Sequence, residues 1–400
     1  MKRILIVDDE QIVLDGMRRM LESQRDRWDM HFVRSGESAL DACVDQPFDV
    51  VLADVRMPGL DGIALLQILR ERSPECARVL LSSQADLSHA ARGTEVAYRV
   101  LAKPLHQQEL VTNLERIFTL QESFTTAAMR TIVGRIGGLP SLSRTYTALA
   151  LAVRDPESSI AQVADIVEQD VAMTARVLQI VNSGFFGLAK TMSNVSAAVS
   201  YLGMDTIKNL ALATETFTLF APASGIPVNF LEAMHRRAER AAIAVSALPI
   251  NLRERDVSVV AALLHDIGEL VIASRMPDQF NAAAAMATER GCASYEAEET
   301  LLGVSHAELG AYLLGLWGVR GTIAEAVAHH HRPQRVRHFG FDSAAAVYVA
   351  ALIADEIETH PNDTAAAELR ESDRESLTAL GLAERYPVFR ARAIKALQIR

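Results

Sequence analysis

The sequence predicts a chain of two unlike parts, a doubly wound α/β half followed by an all-helical half. Three observations carry this. Short apolar runs alternate with amphipathic helical patterns as far as about residue 120, strand-like runs then vanish, and 400 residues suit two or three domains rather than one. Half of the residues are hydrophobic and 22% are charged, which is ample material for packed cores.

In the first half, Ile4–Val7, His31–Val33, Val50–Ala53, Val79–Ser82 and Arg99–Leu101 read as strands. ILIV, DVVLA and RVLLS are nearly continuous hydrophobic runs, as expected of parallel strands buried on both faces. Helical spacing falls between them at 12–23, 37–44, 63–71, 87–93 and 107–120. A further helix, Thr125–Ile136, is stopped by Gly137-Gly138-Leu139-Pro140. Beyond it only helices are expected. Ile160–Val167 follows an N-cap at Ser158 or Ser159, and Met173–Val181 is broken by Asn182-Ser183-Gly184. Helices then follow at 197–202, 206–220, 231–247, 257–274, 278–290, 294–302, 307–316, 321–330, 344–358, 364–380 and 385–397, with a loop over Ala221–Val228.

Several function classes are excluded early. Forty basic against fifty acidic side chains leave a net charge of −10, which argues against a broad nucleic-acid or anionic-membrane surface. No apolar run is read as reaching the roughly 20 residues that span a bilayer, so no membrane partner is expected. MKRILIVDDE turns acidic after four apolar residues and is not read as a secretory signal. Cys43, Cys76 and Cys292 are widely spaced, as in reduced thiols of a cytoplasmic protein.

Asp8, Asp9 and Glu10 follow the first strand, Asp54 the third, Ser82 ends the fourth and Lys103 follows the fifth. In a doubly wound sheet these ends share one edge, where ligands bind. Crowded carboxylates call for a hard divalent cation such as Mg2+, and Lys103 adds a second positive charge. The set suits acceptance of a phosphoryl group on a carboxylate. ILIVDDE, VVLADVRMPGLDG, LLSS and Lys103-Pro104 resemble the receiver domains of two-component response regulators, with Met57-Pro58 and Asp61-Gly62 in their usual places. The resemblance implies a flavodoxin-like five-stranded sheet, Asp54 as phosphoacceptor, Mg2+ held by Asp8, Asp9 and Asp54, Ser82 as switch hydroxyl and Lys103 as the phosphoryl partner. Val100 stands where the family has a bulky switch aromatic, and Tyr98 is out of register.

The helical half carries His235, His265-Asp266, His306, His330-His331 and Asp355. A His–Asp pair inside an apolar run is costly to bury unpaired. Either Asp266 pairs with His235 or Asp355, or the group binds an ion and activates water. Residues 133–335, from IGGLPSLSRTYTALA to SHAELGAYLLGLWGVRGTIAEAVAHHHRP, resemble an HDOD domain, with Leu139-Pro140, Asn182-Ser183 and Leu202-Gly203 in order. The resemblance implies a signalling output module of the HD superfamily that lacks phosphohydrolase activity. His235, His265, Asp266, His306, His330, His331 and Asp355 match the ligand positions of the catalytic HD-GYP relatives, for a divalent transition metal. Glu269 replaces the lysine of HDxGK, and no Gly-Tyr-Pro element follows His331.

The expected layout is a receiver over 1–120, a helical connector over 121–138, an HDOD domain over 139–335 and helices over 336–400 packed on that bundle. The expected partners are a sensor histidine kinase and a downstream signalling protein, with a homodimer compatible and direct nucleic-acid binding not expected. The rival class is a receiver-gated, metal-dependent HD phosphohydrolase acting on cyclic dinucleotides or nucleotides. Arg236-Arg237, Arg240 and Arg253–Arg255 read as solvated helix faces and a charged loop. Phe185-Phe186, Tyr312 and Trp317 read as core.

Overall fold

The computed structural model describes residues 1–83, 93, 96–123, 127–136, 148–149, 151–152, 155, 157–182, 191–213, 226, 228–336, 341–359 and 369–398. The expected helix at 87–93, the Gly137–Pro140 stop, the loop over 221–228 and Phe185-Phe186 lie largely or wholly outside the described residues.

The first half runs β1 (Lys2–Val7), α1 (Gln11–Met20), β2 (Trp28–Val33), α2 (Gly36–Asp45), β3 (Val50–Asp54), α3 (Gly62–Arg72), β4 (Ala77–Ser83), β5 (Arg99–Lys103) and α4 (Gln107–Ser123). All strand pairs are parallel, in the order β2-β1-β3-β4-β5. The sheet is covered on both faces. Ile4, Ile6, Leu52, Val79, Leu81 and Leu101 pack with Leu14, Leu110 and Leu114, whereas Leu5, Val7, Val51 and Leu80 pack with Leu65, Leu66 and Leu69. Each of these side chains is essentially inaccessible, and each contributes about 1.5–3 kcal/mol by leaving water. Local capping fixes the helix starts: Ser35 Oγ accepts from Ser38 N at 3.1 Å, and Asp61 Oδ1 from Ala64 N at 2.8 Å.

The remainder is helical: α5 (Ala127–Gly134), α6 (Ile160–Glu168), α7 (Val171–Val181), α8 (Val195–Ala213), α9 (Val228–Ala247), α10 (Leu252–Leu264), α11 (Ile267–Arg275), α12 (Pro277–Arg290), α13 (Ser294–Leu302), α14 (His306–Leu316), α15 (Gly321–Ala328), α16 (Ser343–Thr359), α17 (Glu371–Ala379) and α18 (Tyr386–Gln398). Ser159 is the N-cap of α6, in a capping box with Gln162. The helices expected at 197–202 and 206–220 join in α8 across Gly203, whose φ of +74° is not helical. Helix α9 forms the centre of the bundle, packed against α10, α16 and α18.

One correction concerns the apolar stretch 254–275. Its 22 residues meet the length and composition of a membrane span, contrary to the sequence reading, but 89% of its apolar window is buried inside the protein. It is also not one helix, because the chain turns at His265-Asp266 between α10 and α11.

The two halves share a core. Helix α14 touches α4 and α5, and Arg116 of α4 donates to Val319 O at 2.6 Å, just past the end of α14. Arg99 of β5 is buried at the same place beside Gly318, with its Nη1 on Asn113 Oδ1 at 2.5 Å. Burial pushes the Arg99 guanidinium below its ordinary range, and the charge of Arg116 adds to that. The last carbonyls of α14 are capped by the backbone that follows, Leu313 O, Leu314 O and Gly315 O accepting from Trp317 N, Val319 N and Gly318 N, and the negative pole of the helix favours cations nearby. Tyr312 and Trp317 are core residues, as expected.

Candidate functional site: a carboxylate pocket and a histidine cluster

The sheet order brings the ends of β1, β3, β4 and β5 to one edge. Asp8 is buried; its Oδ1 accepts from Glu10 N at 3.0 Å and its Oδ2 from Lys103 Nζ at 2.6 Å. The same ammonium pairs with Asp54 Oδ1, and Asp54 Oδ2 accepts from Arg56 N at 2.9 Å. Asp9 lies half-buried beside them. Burial pushes the Asp54 carboxyl above its usual range, with Asp8 adding to the shift and Lys103 opposing it. Burial alone would lower Lys103, but bonds to Asp54 and Asp8 hold it above its ordinary value. Two carboxylates sharing one ammonium leave excess negative charge, a donor set that fits a hard divalent cation.

Two adjacent serines, Ser82 and Ser83, end β4. Ser82 stands in register with Ala102, is 1% exposed, and donates to Ser83 O at 3.4 Å. Ser83 stands in register with Lys103 and accepts from Arg56 Nη2 at 3.2 Å. Residues paired in a parallel ladder share a face, and side chains alternate along a strand. By register Ser83 stands on the face of Lys103 and Asp54 and Ser82 on the other face, both at the carboxyl edge of the sheet. Val100 is buried in the second core, and Tyr98 is buried under the Arg78 guanidinium, 4.6 Å from its ring centroid.

The helical half builds a second cluster. His265 and Asp266 occupy the turn between α10 and α11, His306 opens α14, and His330-His331 follow α15. A close approach sets the geometry: a Cβ on Gly268 would lie 1.9 Å from His306 O, so only glycine lets α11 and α14 meet there. Three histidines use Nδ1 outward. His265 Nδ1 lies 2.6 Å from Ala262 O, His330 Nδ1 2.7 Å from Val327 O, and His306 Nδ1 2.7 Å from Glu298 Oε2. Those acceptors call for Nδ1–H, which turns the Nε2 edges of the three rings toward the cluster.

Inside, His265 Nε2 is 3.2 Å from Asp266 Oδ2, while His306 and His330 Nε2 are each 3.6 Å from Asp266 Oδ1. His331 Nε2 is 2.9 Å from His306 Nε2. The His330 Nε2 is buried with no hydrogen-bond partner. That orphaned nitrogen, the Nε2 atoms of His265 and His306 near the same carboxylate, and His331 beside His306 fit a divalent transition metal. Burial pushes His330 down to about 4 and His331 well below its ordinary value. Burial opposes the charge on His306, but Glu298 raises it to about 9.

Of the expected ligands, His235 lies away from the cluster and Asp355 stands at its rim, beside Arg237. His235 faces α7, where its Nδ1 accepts from Val171 N at 3.3 Å and its Nε2 lies 3.8 Å from Asp170 Oδ2. Asp355 is half-exposed, its Oδ1 4.0 Å from Arg237 Nε. The partner of Asp266 is neither of them but Arg237, read from sequence as a solvated residue. Its Nε and Nη2 donate to Asp266 Oδ2 at 3.0 and 2.8 Å, and Nη2 also bonds Glu269 Oε2. Burial works against the Asp266 charge, but His265 and Arg237 hold its carboxyl well below the usual range. Glu298 was also missed; it is a buried acid three residues past Tyr295 on α13, and nothing but that spacing hinted at it.

Comparison with known proteins finds a family for each half. The response regulator receiver domain family matches residues 4–115 and the HDOD domain family residues 139–333. An uncharacterized protein of Treponema pallidum is 24% identical over 214 residues, 52% of this chain and 40% of that protein. The uncharacterized transcriptional regulatory protein YesN of Bacillus subtilis is 30% identical over 124 residues, 29% of this chain and 32% of YesN. The chain thus spans less than half the length of these curated relatives. The crystal structure of a virulence factor from Campylobacter jejuni superposes with a TM-score of 0.51 at 18% identity, over 68% of this chain and 94% of that one, a likeness of fold. With the carboxylate pocket at one end and the histidine cluster at the other, the chain belongs to the response regulators that join an N-terminal receiver domain to a C-terminal HDOD domain.

Proposed function

We propose that Asp54 accepts a phosphoryl group from a sensor histidine kinase and that the HDOD domain acts as a non-catalytic output, contacting a downstream signalling protein. The observation that carries the first part is Lys103 bridging Asp8 and Asp54. In the transfer, an Asp54 oxygen attacks phosphorus, a P–O bond forms, the P–N bond to the kinase histidine breaks, and the departing imidazole nitrogen recovers a proton. Lys103 neutralises the incoming phosphoryl oxygens and Ser82, at the end of β4 with Ser83 beside it, offers them a hydroxyl. Asp8, Asp9 and Asp54 would hold Mg2+, which supplies further charge neutralisation. We place the receiver over 1–120, the connector over 121–138, the HDOD domain over 139–335, and count the helices of 336–400 with the bundle. The packing of α16 and α18 on α9 supports that grouping.

The non-catalytic reading rests on Arg237 and Glu269. A guanidinium already occupies the carboxylate side of the histidine cluster, and Glu269 puts a negative charge where a substrate phosphate would meet repulsion. Intact mass measured after treatment with acetyl phosphate and Mg2+ tests the first part. The expected gain is about 80 Da, one phosphoryl group, absent in Asp54→Asn. Incubation with cyclic dinucleotides and nucleotides tests the second. Turnover lost in His265→Ala would overturn the non-catalytic reading.

A further inference from the structure

The Asp266 carboxylate is divided between two cation environments. Its Oδ1 faces the Nε2 atoms of His306 and His330 at 3.6 Å each, with His331 a further 2.9 Å from His306. Its Oδ2 is taken by Arg237, whose guanidinium also bonds Glu269 and lies 4.0 Å from Asp355, with His265 Nε2 at the edge of that oxygen, 3.2 Å away. A carboxylate with one oxygen toward each of two positions is the arrangement that bridges two cations. Here one of those positions is filled by the protein itself. Arg237 reaches it from the middle of α9, and its side chain is only 21% exposed. The three carboxylates around it would otherwise form a hard, oxygen-rich site, whereas the opposite side is nitrogen-rich and suits a borderline metal.

We propose that Arg237 is a resident cation, so that this chain binds one divalent transition metal, on Asp266 Oδ1 and the nitrogens of His306, His330 and His331, and excludes a second. This goes beyond the signalling role and does not depend on phosphorylation. Two features support it independently of Arg237. The Nε2 of His330 is buried without a hydrogen-bond partner, and His306, His330 and His331 each offer an atom within 4.8 Å of the others. Glu298 and the carbonyls of Ala262 and Val327 hold the imidazoles in the tautomer a metal requires.

The test is metal stoichiometry of the full chain, stripped with chelator, dialysed against Zn2+ and measured by plasma mass spectrometry, with calorimetric titration alongside. The wild type is expected to hold one equivalent, His330→Ala to lose at least tenfold in affinity, and Arg237→Ala to take up a second equivalent. Arg237→Lys keeps a cation and is expected to stay at one. If Arg237→Ala does not fold, Arg237→Gln, which keeps the length without the charge, carries the same expectation. Two equivalents in the wild type, none in the wild type, or one in folded Arg237→Ala or Arg237→Gln would each overturn the proposal. A failure to phosphorylate Asp54 would leave all of these results unchanged, so the two readings fail separately.

Discussion

Replacing Gly268 by alanine tests the contact that holds the histidine cluster together. The added Cβ would sit 1.9 Å from His306 O, 2.7 Å from His306 C and 2.8 Å from Gly310 N. A comfortable carbon–oxygen contact is about 3.3 Å. Helices α11 and α14 must therefore part by more than about 1 Å, and because the opposing atoms are backbone, no side chain can rotate away. Overpacking costs about 1–3 kcal/mol, and this site belongs at the upper end. For a bundle of this size that is a fall in melting temperature of roughly 6–12 °C. The assay is thermal unfolding followed by circular dichroism, with Gly321→Ala as control. That position has nothing within 4 Å of an added Cβ and is expected to change stability by no more than about 0.5 kcal/mol. The same separation carries His306 away from Asp266, so Zn2+ affinity falls as well. Gly268→Ala melting within about 2 °C of wild type would refute the close-approach argument.

Arg116→Ala removes the bond to Val319 O and is expected to cost about 1–2 kcal/mol, with faster amide exchange over residues 317–321 measured by mass spectrometry. Chelator-treated protein should be most heat-stable near pH 6.5. His330, at about 4 when folded, makes stability fall as pH drops from 6.5 toward 4, because the unfolded chain takes up the proton first. His306, at about 9 when folded, contributes fully below 6.5 and loses its contribution as pH rises toward 9. Melting curves across that range check both limbs; His306→Gln should flatten the alkaline one and, by removing a charge that lowers His330, make the acid one shallower. Finally, burial raises the Cys76 thiol far above its ordinary value and Cys43 to about 11. A thiol reagent at pH 8 should therefore leave Cys76 of the native chain unmodified until denaturant is added.

How much the sequence disclosed depended on whether the pattern was local. ILIV, VVLA and VLLS had only one way to be buried, so the strands and the edge bearing Asp8, Asp54 and Lys103 were legible. Ser82 and Ser83 differ by one step of a two-residue period, and register with β5 sets which face each of them takes. The apolar run through His265-Asp266 kept helical spacing on both sides, which concealed the turn that presents the pair. His235 and Arg237 are two residues apart, about 200° around a helix. Which of them enters the cluster depends on how α9 is rotated by its packing against α10, α16 and α18, and that is tertiary information. The break at Gly203 is likewise invisible in periodicity, since both flanking segments are helical.

The single apolar core running from the sheet through α4 and α14 into the bundle bears on how this molecule can be dissected. Cutting in the 121–138 stretch would strip Gly315 of its Leu120 neighbour and leave Val319 O, just past α14, without the Arg116 donor. Each fragment would then carry a bare greasy stripe where it had met the other, and such stripes drive self-association. Studies of either piece in isolation would report on clumped or rearranged material, which makes the whole chain the smallest unit whose behaviour can be trusted.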